Sequence, residues 1–423
     1  MPPVLGTIHA RLAPMGSRRV SSARAVAAAL LVVGTAGAGC SKSDPQFEEL
    51  RGWERVETLR HADVIPYDRV ATTAGPNGVA WLTWAASRDD VLAYREVPDG
   101  GEVAEVELAA PGVPVLIPIG VATDGDGWVA VAATRDRPNG ENTGLMVWQP
   151  AAATASGAAG RSVSPSARPR GQVLPPPAGT TATPEAVNTG RAAGTSVVAG
   201  VADGQAVAWT SRDGGRWRST VLELGLDVDL TAIDLAGHGG ELVLAGVDAD
   251  GGAHAWTSPD GVTWEPGPTD DLPGDVRSVT LLASLDEEEL ALAWLAGGAD
   301  DAGPRAGTTA TVQRFDGRRV VDEGTIEARP EAGIPTFSLD GAALSPDGNL
   351  VVVGTASPAA DTGVPMIWLR DGDTWEPSTQ RELAGRIDHQ FRAITTTSDD
   401  EMVGLITPAS HIDLEVWRWS AGQ

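Results

Sequence analysis

Residues 253–265 read AHAWTSPDGVTWE, and Ala253, Ala255 and Thr257 alternate there with His254, Trp256 and Ser258. That two-residue period predicts a β-strand. Asp260-Gly261 predicts a tight turn, because glycine tolerates the positive φ such turns require, and Trp264 begins the return strand. The pattern repeats at 206–218 as AVAWTSRDGGRWR, and MIWLRDGDTWE at 366–376 keeps Trp368, Asp371-Gly372 and Trp375. Three hairpins with the same punctuation predict an internal repeat.

A second pattern precedes each hairpin. Six-residue apolar runs begin at 79, 128, 196, 242, 290, 350 and 402, from VAWLTW to MVGLIT. They lack alternation, so they predict strands buried on both faces, as in sheets stacked face to face. Polar turns come before them, such as Asp124-Gly125-Asp126-Gly127 and Ser345-Pro346-Asp347-Gly348. A further strand leads into each turn, for example 229–237 and 391–397. Four strands per repeat of about 40–50 residues is the signature of a β-propeller blade. The expected fold is all-β: a seven-bladed β-propeller of four-stranded antiparallel blades.

Two units depart from the pattern. After LMVWQP (145–150) comes an Ala/Ser/Pro/Gly-rich stretch, 151–185, with few large apolar residues. It is expected to be a disordered insertion at a hairpin tip, with GQVLP (171–175) as the outer strand of that blade. The last unit stops at LEVWRWSAGQ (414–423) without an outer strand. Gly52-Trp53-Glu54 matches Thr263-Trp264-Glu265, so residues 51–59 are expected to pair with the C-terminal strand and close the ring.

Composition adds the address. Arg11, Arg18, Arg19 and Arg24 precede a small-residue apolar run over 25–39, which predicts a signal peptide over 1–39. Export is expected through either the general or the twin-arginine route, and Met15 is an alternative start. The run ends at Cys40, the only cysteine of the chain. Gly37-Ala38-Gly39-Cys40 resembles the bacterial lipobox, although Gly37 stands where that family carries a large aliphatic residue. The resemblance implies a lipoprotein acylated at Cys40 with palmitate-type chains, held at the extracytoplasmic face of the cell membrane by a tether over 40–50. The propeller then occupies 51–423. The formal net charge is −26 and Lys42 is the only lysine, which argues against nucleic acid as a partner.

Ser258-Pro259-Asp260-Gly261-Val262-Thr263-Trp264 and Ser211-Arg212-Asp213-Gly214-Gly215-Arg216-Trp217 resemble the Asp-box, or BNR repeat, of sialidase-like propellers. Each has one residue fewer between Asp and Trp than the family pattern, and Asp371…Trp375 lacks the Ser. The resemblance implies structural roles for Ser211, Asp213, Trp217, Ser258, Asp260, Trp264, Asp371 and Trp375: Asp and Ser bond the turn, and Trp packs between blades. A sialidase site would add three arginines, a Tyr–Glu pair and an Asp. The stretch resembling its first arginine motif is Asp63-Val64-Ile65-Pro66, with Val in the arginine's place, and the only tyrosines are Tyr67 and Tyr94. No catalytic residue is carried over. His61, His238, His254, His389 and His411 show no metal spacing. Asp124-Gly125-Asp126-Gly127 and Asp248-Ala249-Asp250-Gly251 resemble calcium-loop fragments without the distant bidentate glutamate, so no metal or cofactor is expected. The expected function is monomeric, non-catalytic binding of a protein or envelope ligand. The alternatives are a sialidase-like glycan hydrolase or glycan binder, and an assembly factor for an envelope complex.

Overall fold

The computed structural model describes residues 53–59, 70–75, 78–85, 88–98, 104–110, 115–124, 126–135, 142–150, 169–177, 184–212, 215–226, 228–268, 271–284, 289–297, 306–316, 318–330, 334–345, 347–359, 362–372, 374–378, 389–397, 401–408 and 414–419. The signal segment, Cys40, the tether, His61, the 63–66 stretch, Tyr67, Asp213 and His411 lie outside the described residues.

The chain forms β-sheets arranged around a channel. The N-terminal strand β1 (Trp53–Leu59) precedes the first sheet, which runs outward through β2 (Ala71–Gly75), β3 (Gly78–Ala85), β4 (Arg88–Pro98) and β5 (Ala104–Leu108). The second comprises β6 (Val115–Thr123), β7 (Trp128–Arg135), β8 (Asn142–Trp148) and β9 (Gln172–Val173). The third holds β10 (Glu185–Ala192), β11 (Thr195–Ala202), β12 (Gln205–Ser211) and β13 (Arg218–Val221). The fourth holds β14 (Leu230–His238), β15 (Glu241–Asp248), β16 (Ala253–Ser258) and β17 (Glu265–Pro266). Next come β18 (Ser278–Ser284), β19 (Leu290–Ala296), β20 (Thr309–Phe315), β21 (Val320–Glu327), β22 (Phe337–Leu344), β23 (Leu350–Ala359), β24 (Thr362–Asp371) and β25 (Thr374–Ser378). The last sheet is β26 (His389–Thr396), β27 (Met402–Pro408), β28 (Leu414–Trp419) and β1.

The architecture is an all-β propeller with four-stranded antiparallel blades, but the expectation of seven separate blades is corrected. The described strands form five four-stranded sheets and one sheet of eight, in the order β18-β19-β20-β21-β25-β24-β23-β22. The outer strands β21 and β25 are bridged in parallel at Thr325 and Thr374, so two successive repeats share one sheet. Glu323, buried on β21, accepts from Arg314 of β20 and Arg370 of β24, and Arg329 pairs with Glu376 at 2.8 Å. These ion pairs hold two edges together that a repeat pattern leaves apart. Within 151–185, β9 pairs with β8 as the outer strand expected at 171–175, and the expected disorder does not extend through this part of the stretch. Residues 169–177 have defined places: Gly171 donates to Ala109 O (2.8 Å), Leu174 to Leu145 O (2.9 Å), and Pro175 O accepts from Trp209 Nε1 (2.6 Å). This short stem is stitched to three successive sheets.

Burial explains the strand order. β7, β11, β15 and β19 are buried along nearly their whole length, because neighbouring sheets cover both faces. The outer strands β13, β17 and β21 are largely open to solvent. Each seam between sheets has its own apolar cluster, including Val197, Leu244, Trp256 and Trp264 between the third and fourth. Burying a tryptophan there contributes about 2–3 kcal/mol before ordering costs. Indole N–H groups add a latch across successive seams. Trp148 donates to Ala109 O at 2.9 Å and Trp256 to Leu224 O at 3.1 Å, each a carbonyl just beyond the preceding outer strand.

The ring is closed. β1 pairs antiparallel with β28, Trp53 lying opposite Trp419 and Arg55 opposite Trp417. Val79 and Trp81 of the first sheet pack with Val403, Leu405 and Val416 of the last. Inner strands approach closely enough that a Cβ at Gly237 would collide with the carbonyl of Arg191.

Candidate functional site

The inner strands β2, β6, β10, β14, β18, β22 and β26 enclose a channel of about 710 Å3. Neighbouring inner strands are not paired with one another in any sheet, so their facing backbone groups have no ladder partners. Polar side chains supply them. Asn188 Nδ2 donates to Ile233 O (2.7 Å), the N–H of Leu281 donates to Asp234 Oδ2 (2.8 Å), and Thr72 Oγ1 donates to Arg392 O (2.7 Å). Thr396 Oγ1 donates likewise to Leu344 O. The lining includes Asp124, Asp126, Asp234, Asp340, Arg191 and Arg392 amid threonines, and no Phe, Trp or Tyr is among its described residues.

The strongest constellation lies where β6 ends. Asp124 Oδ1 accepts from the N–H groups of Asp126 (3.2 Å) and Gly127 (3.0 Å) in its own turn. It also accepts from Arg191 Nε at 2.8 Å, and Asp124 Oδ2 takes the N–H of Gly194 at 3.3 Å. Arg191 Nη1 donates onward to Ser196 Oγ (2.8 Å). Both charges are mostly shielded, with side-chain exposures of 14% and 13%. In such surroundings a lone charge is costly, so each partner is needed by the other. The carboxylate that resembles a calcium-loop ligand is thus held by a guanidinium. Elsewhere in the channel, Arg392 Nε donates to Thr407 (2.9 Å), and Asp340 accepts from Ser338 and Thr355, both at 3.3 Å.

The residues singled out in the sequence lie elsewhere, on the hairpins between third and fourth strands. Ser258 Oγ accepts from Gly261 N (2.8 Å), and Asp260 Oδ1 accepts from Val262 N and Thr263 N, both at 2.9 Å. The Thr263 N–H bond, joined by those of Val262 and Ser258, holds the Asp260 carboxyl below the usual carboxylate range against the opposing effect of burial. Gly261 has φ 71°, in the left-handed region, and a Cβ there would strike Val197. Trp264 is buried in the adjoining seam. Ser211 is buried and accepts from Gln149 Nε2 (3.3 Å), and Trp217 packs half-buried against the seam between the second and third sheets. The Asp371 side chain is exposed; its turn is held by Thr374 Oγ1 to Asp371 O (2.9 Å) and Arg370 Nε to Gly372 O (2.8 Å). Trp375 is buried, its indole donating to Glu323 O (2.9 Å).

The second calcium-loop resemblance is likewise closed. Asp248 accepts from Asp250 N (2.9 Å), Gly252 N (2.8 Å) and pairs with His254 Nε2 (2.7 Å). Burial opposes its ionisation, but the His254 bond and the two turn N–H groups outweigh it and hold the carboxyl below its ordinary range. His254 stacks on Trp256 with ring centres 5.6 Å apart. His238 is buried and lines the channel. Among the described residues no group of three or more His, Cys, Asp or Glu side chains is placed to hold a metal ion. Tyr94, buried and donating to Glu96 at 3.0 Å, stacks on Trp128 in the first seam, and burial raises its pKa. Sequence reasoning missed Arg191, Asp234, Asp340 and Arg392. The signal available was a lone charge inside an apolar strand, as in Ile233-Asp234-Leu235 and Phe391-Arg392-Ala393.

No protein-family model matches the chain, and no curated protein matches it. Solved structures similar to it include the Cps50 (Swd1) β-propeller domain of Myceliophthora thermophila, at 11% identity and TM-score 0.45, covering 88% of this chain and 100% of that one. A Trypanosoma rangeli sialidase is similar at 12% identity and TM-score 0.40 over 77% of this chain; the match spans only 58% of the sialidase. The Aleuria aurantia lectin is similar at 10% identity and TM-score 0.41, over 74% of this chain and 94% of the lectin.

Proposed function

We propose that this chain is a lipid-anchored, extracytoplasmic propeller that binds a protein or envelope ligand without catalysing a reaction on it. One observation carries the non-catalytic part. Several charged channel residues are engaged in bonds that join or brace the inner strands: Arg191 to Asp124 and Ser196, Asp234 to the Leu281 N–H, Arg392 to Thr407. A hydrolase needs charged groups free to meet substrate, and an arginine clamp needs its fork open to a carboxylate. The Ser258–Trp264 and Asp371–Trp375 hairpins serve as structural turns in this reading. Cys40 is the anchor, on the strength of the preceding basic and apolar segments.

A second reading has support from the channel itself. Its volume of about 710 Å3 and its lining of carboxylates and hydroxyls suit a small polar ligand such as a glycan fragment. Assay of the purified chain on a panel of fluorogenic sialosides and other glycosides separates the readings. We expect no turnover; turnover abolished by Asp340→Asn would establish the hydrolase. For the anchor, the wild-type chain is expected in the membrane fraction and Cys40→Ala in the soluble fraction. Equal solubility of both would refute lipidation.

A further inference from the structure

We infer that the anchored ring sits with the channel end bearing Asp124, Arg191 and Thr396 toward the membrane and the opposite end turned away from it. The inference rests on the reading of Cys40 as the lipid anchor; its geometric part rests on the path of β1.

Strand direction fixes which end the chain enters. In the last sheet Thr396 lies opposite Met402, Met402 opposite Trp419, and Trp419 opposite Trp53. These four residues form one row across the sheet, from channel to rim. Trp53, where the chain enters the ring, is therefore level with the C-terminal end of the inner strand β26. The inner strands all run in the same sense. Asn188 bonds Ile233 O, and further along both strands Gly237 lies against Arg191. Thr396 reaches the end of β22 at Leu344, and Arg191 of β10 reaches Asp124 where β6 ends. The entry point and the Asp124–Arg191 constellation thus share one end of the ring. The opposite end carries the turns between second and third strands, such as Ala249–Gly251, and the approaches to the inner strands at Asp229 and Asp275.

Reach decides the rest. Residues 41–52 separate Cys40 from Trp53. A chain of that length spans at most about 40 Å, with a typical end-to-end distance of roughly 20 Å. A strand the length of β1 is itself about 23 Å long. Turning the far end to the bilayer would require the tether to run back along the ring, already further than its typical span, before reaching the lipid. The near end needs only a typical span. Both ends carry exposed carboxylates, Asp126 and Asp347 at one and Asp229 and Asp250 at the other, so charge does not choose between them.

The test uses the full lipidated chain in phosphatidylglycerol–phosphatidylethanolamine vesicles doped with a headgroup-quencher lipid. Acylation leaves no free thiol, because Cys40 is the only native cysteine. Single reporters can then be introduced at exposed turns: Asp347→Cys at the near end and Ala249→Cys at the far end, with Arg212→Cys and Asp250→Cys as a second pair. A fluorophore at 347 or 212 is expected to be quenched severalfold more than one at 249 or 250. Equal quenching, or stronger quenching at 249 and 250, with the protein floating on the vesicles, would overturn the orientation alone. Failure of the wild-type chain to float any better than Cys40→Ala would overturn the anchor, and the orientation with it.

Discussion

Two aspartate turns in this molecule start from the same local chemistry and end in different roles. Asp260 gathers the N–H groups of Val262 and Thr263, and Asp124 gathers those of Asp126 and Gly127. Asp260 stops there, apart from Ser258 and a long 3.7 Å approach to the exposed Arg212. Asp124 continues across a seam to Arg191 and Gly194, 67 and 70 residues further along. The first turn shapes one hairpin, and the second ties two sheets together at the channel. Identical local punctuation does not reveal which turn also carries a tertiary bond.

If this contrast holds, Arg191→Ala should have the largest effect. It leaves the shielded Asp124 without its counter-charge, and a loss of about 3 kcal/mol is expected in urea unfolding. A loss no greater than that of an ordinary surface substitution would erase the difference between the two turns. Asp260→Ala should cost about 1–2 kcal/mol, since two turn N–H groups lose a charged acceptor but remain near water. Its pH dependence sharpens the point. The folded-state pKa of Asp260 is lowered, so its contribution is complete above the unfolded carboxylate value, near 4, and is lost as pH falls through the folded value. The stability gap between wild type and Asp260→Asn should therefore narrow below about pH 4; a gap that widens there contradicts the assignment. Asp371→Ala should change stability by less than about 0.5 kcal/mol, because the exposed side chain leaves the turn to Thr374 and Arg370.

The local half of this structure was legible in the sequence. Alternation and Asp-Gly turns located the hairpins, unbroken apolar runs located β7, β11, β15 and β19, and Gly52-Trp53-Glu54 pointed to the strand that pairs with β28. Those features depend on side-chain period and turn geometry, which neighbouring residues dictate. The channel was not legible, because Asp124 and Arg191 become partners only once two sheets lie side by side. Glu323 joins Arg314 and Arg370 across a bridged edge for the same reason, which is why the eight-stranded sheet was not foreseen. The stem at 169–177 was legible in part: Gln172–Val173 pairs with β8 as the outer strand expected of GQVLP, whereas its bonds to Ala109 O and from Trp209 Nε1 arise only once neighbouring sheets lie side by side.

The central claim is that the charges of the channel hold the ring rather than act on a substrate. A double-mutant cycle combining Asp124→Asn with Arg191→Gln, read by urea unfolding, tests it most directly. The account predicts a coupling of about 2 kcal/mol or more between the two side chains. A coupling near zero, with both single variants as stable as wild type, would contradict it.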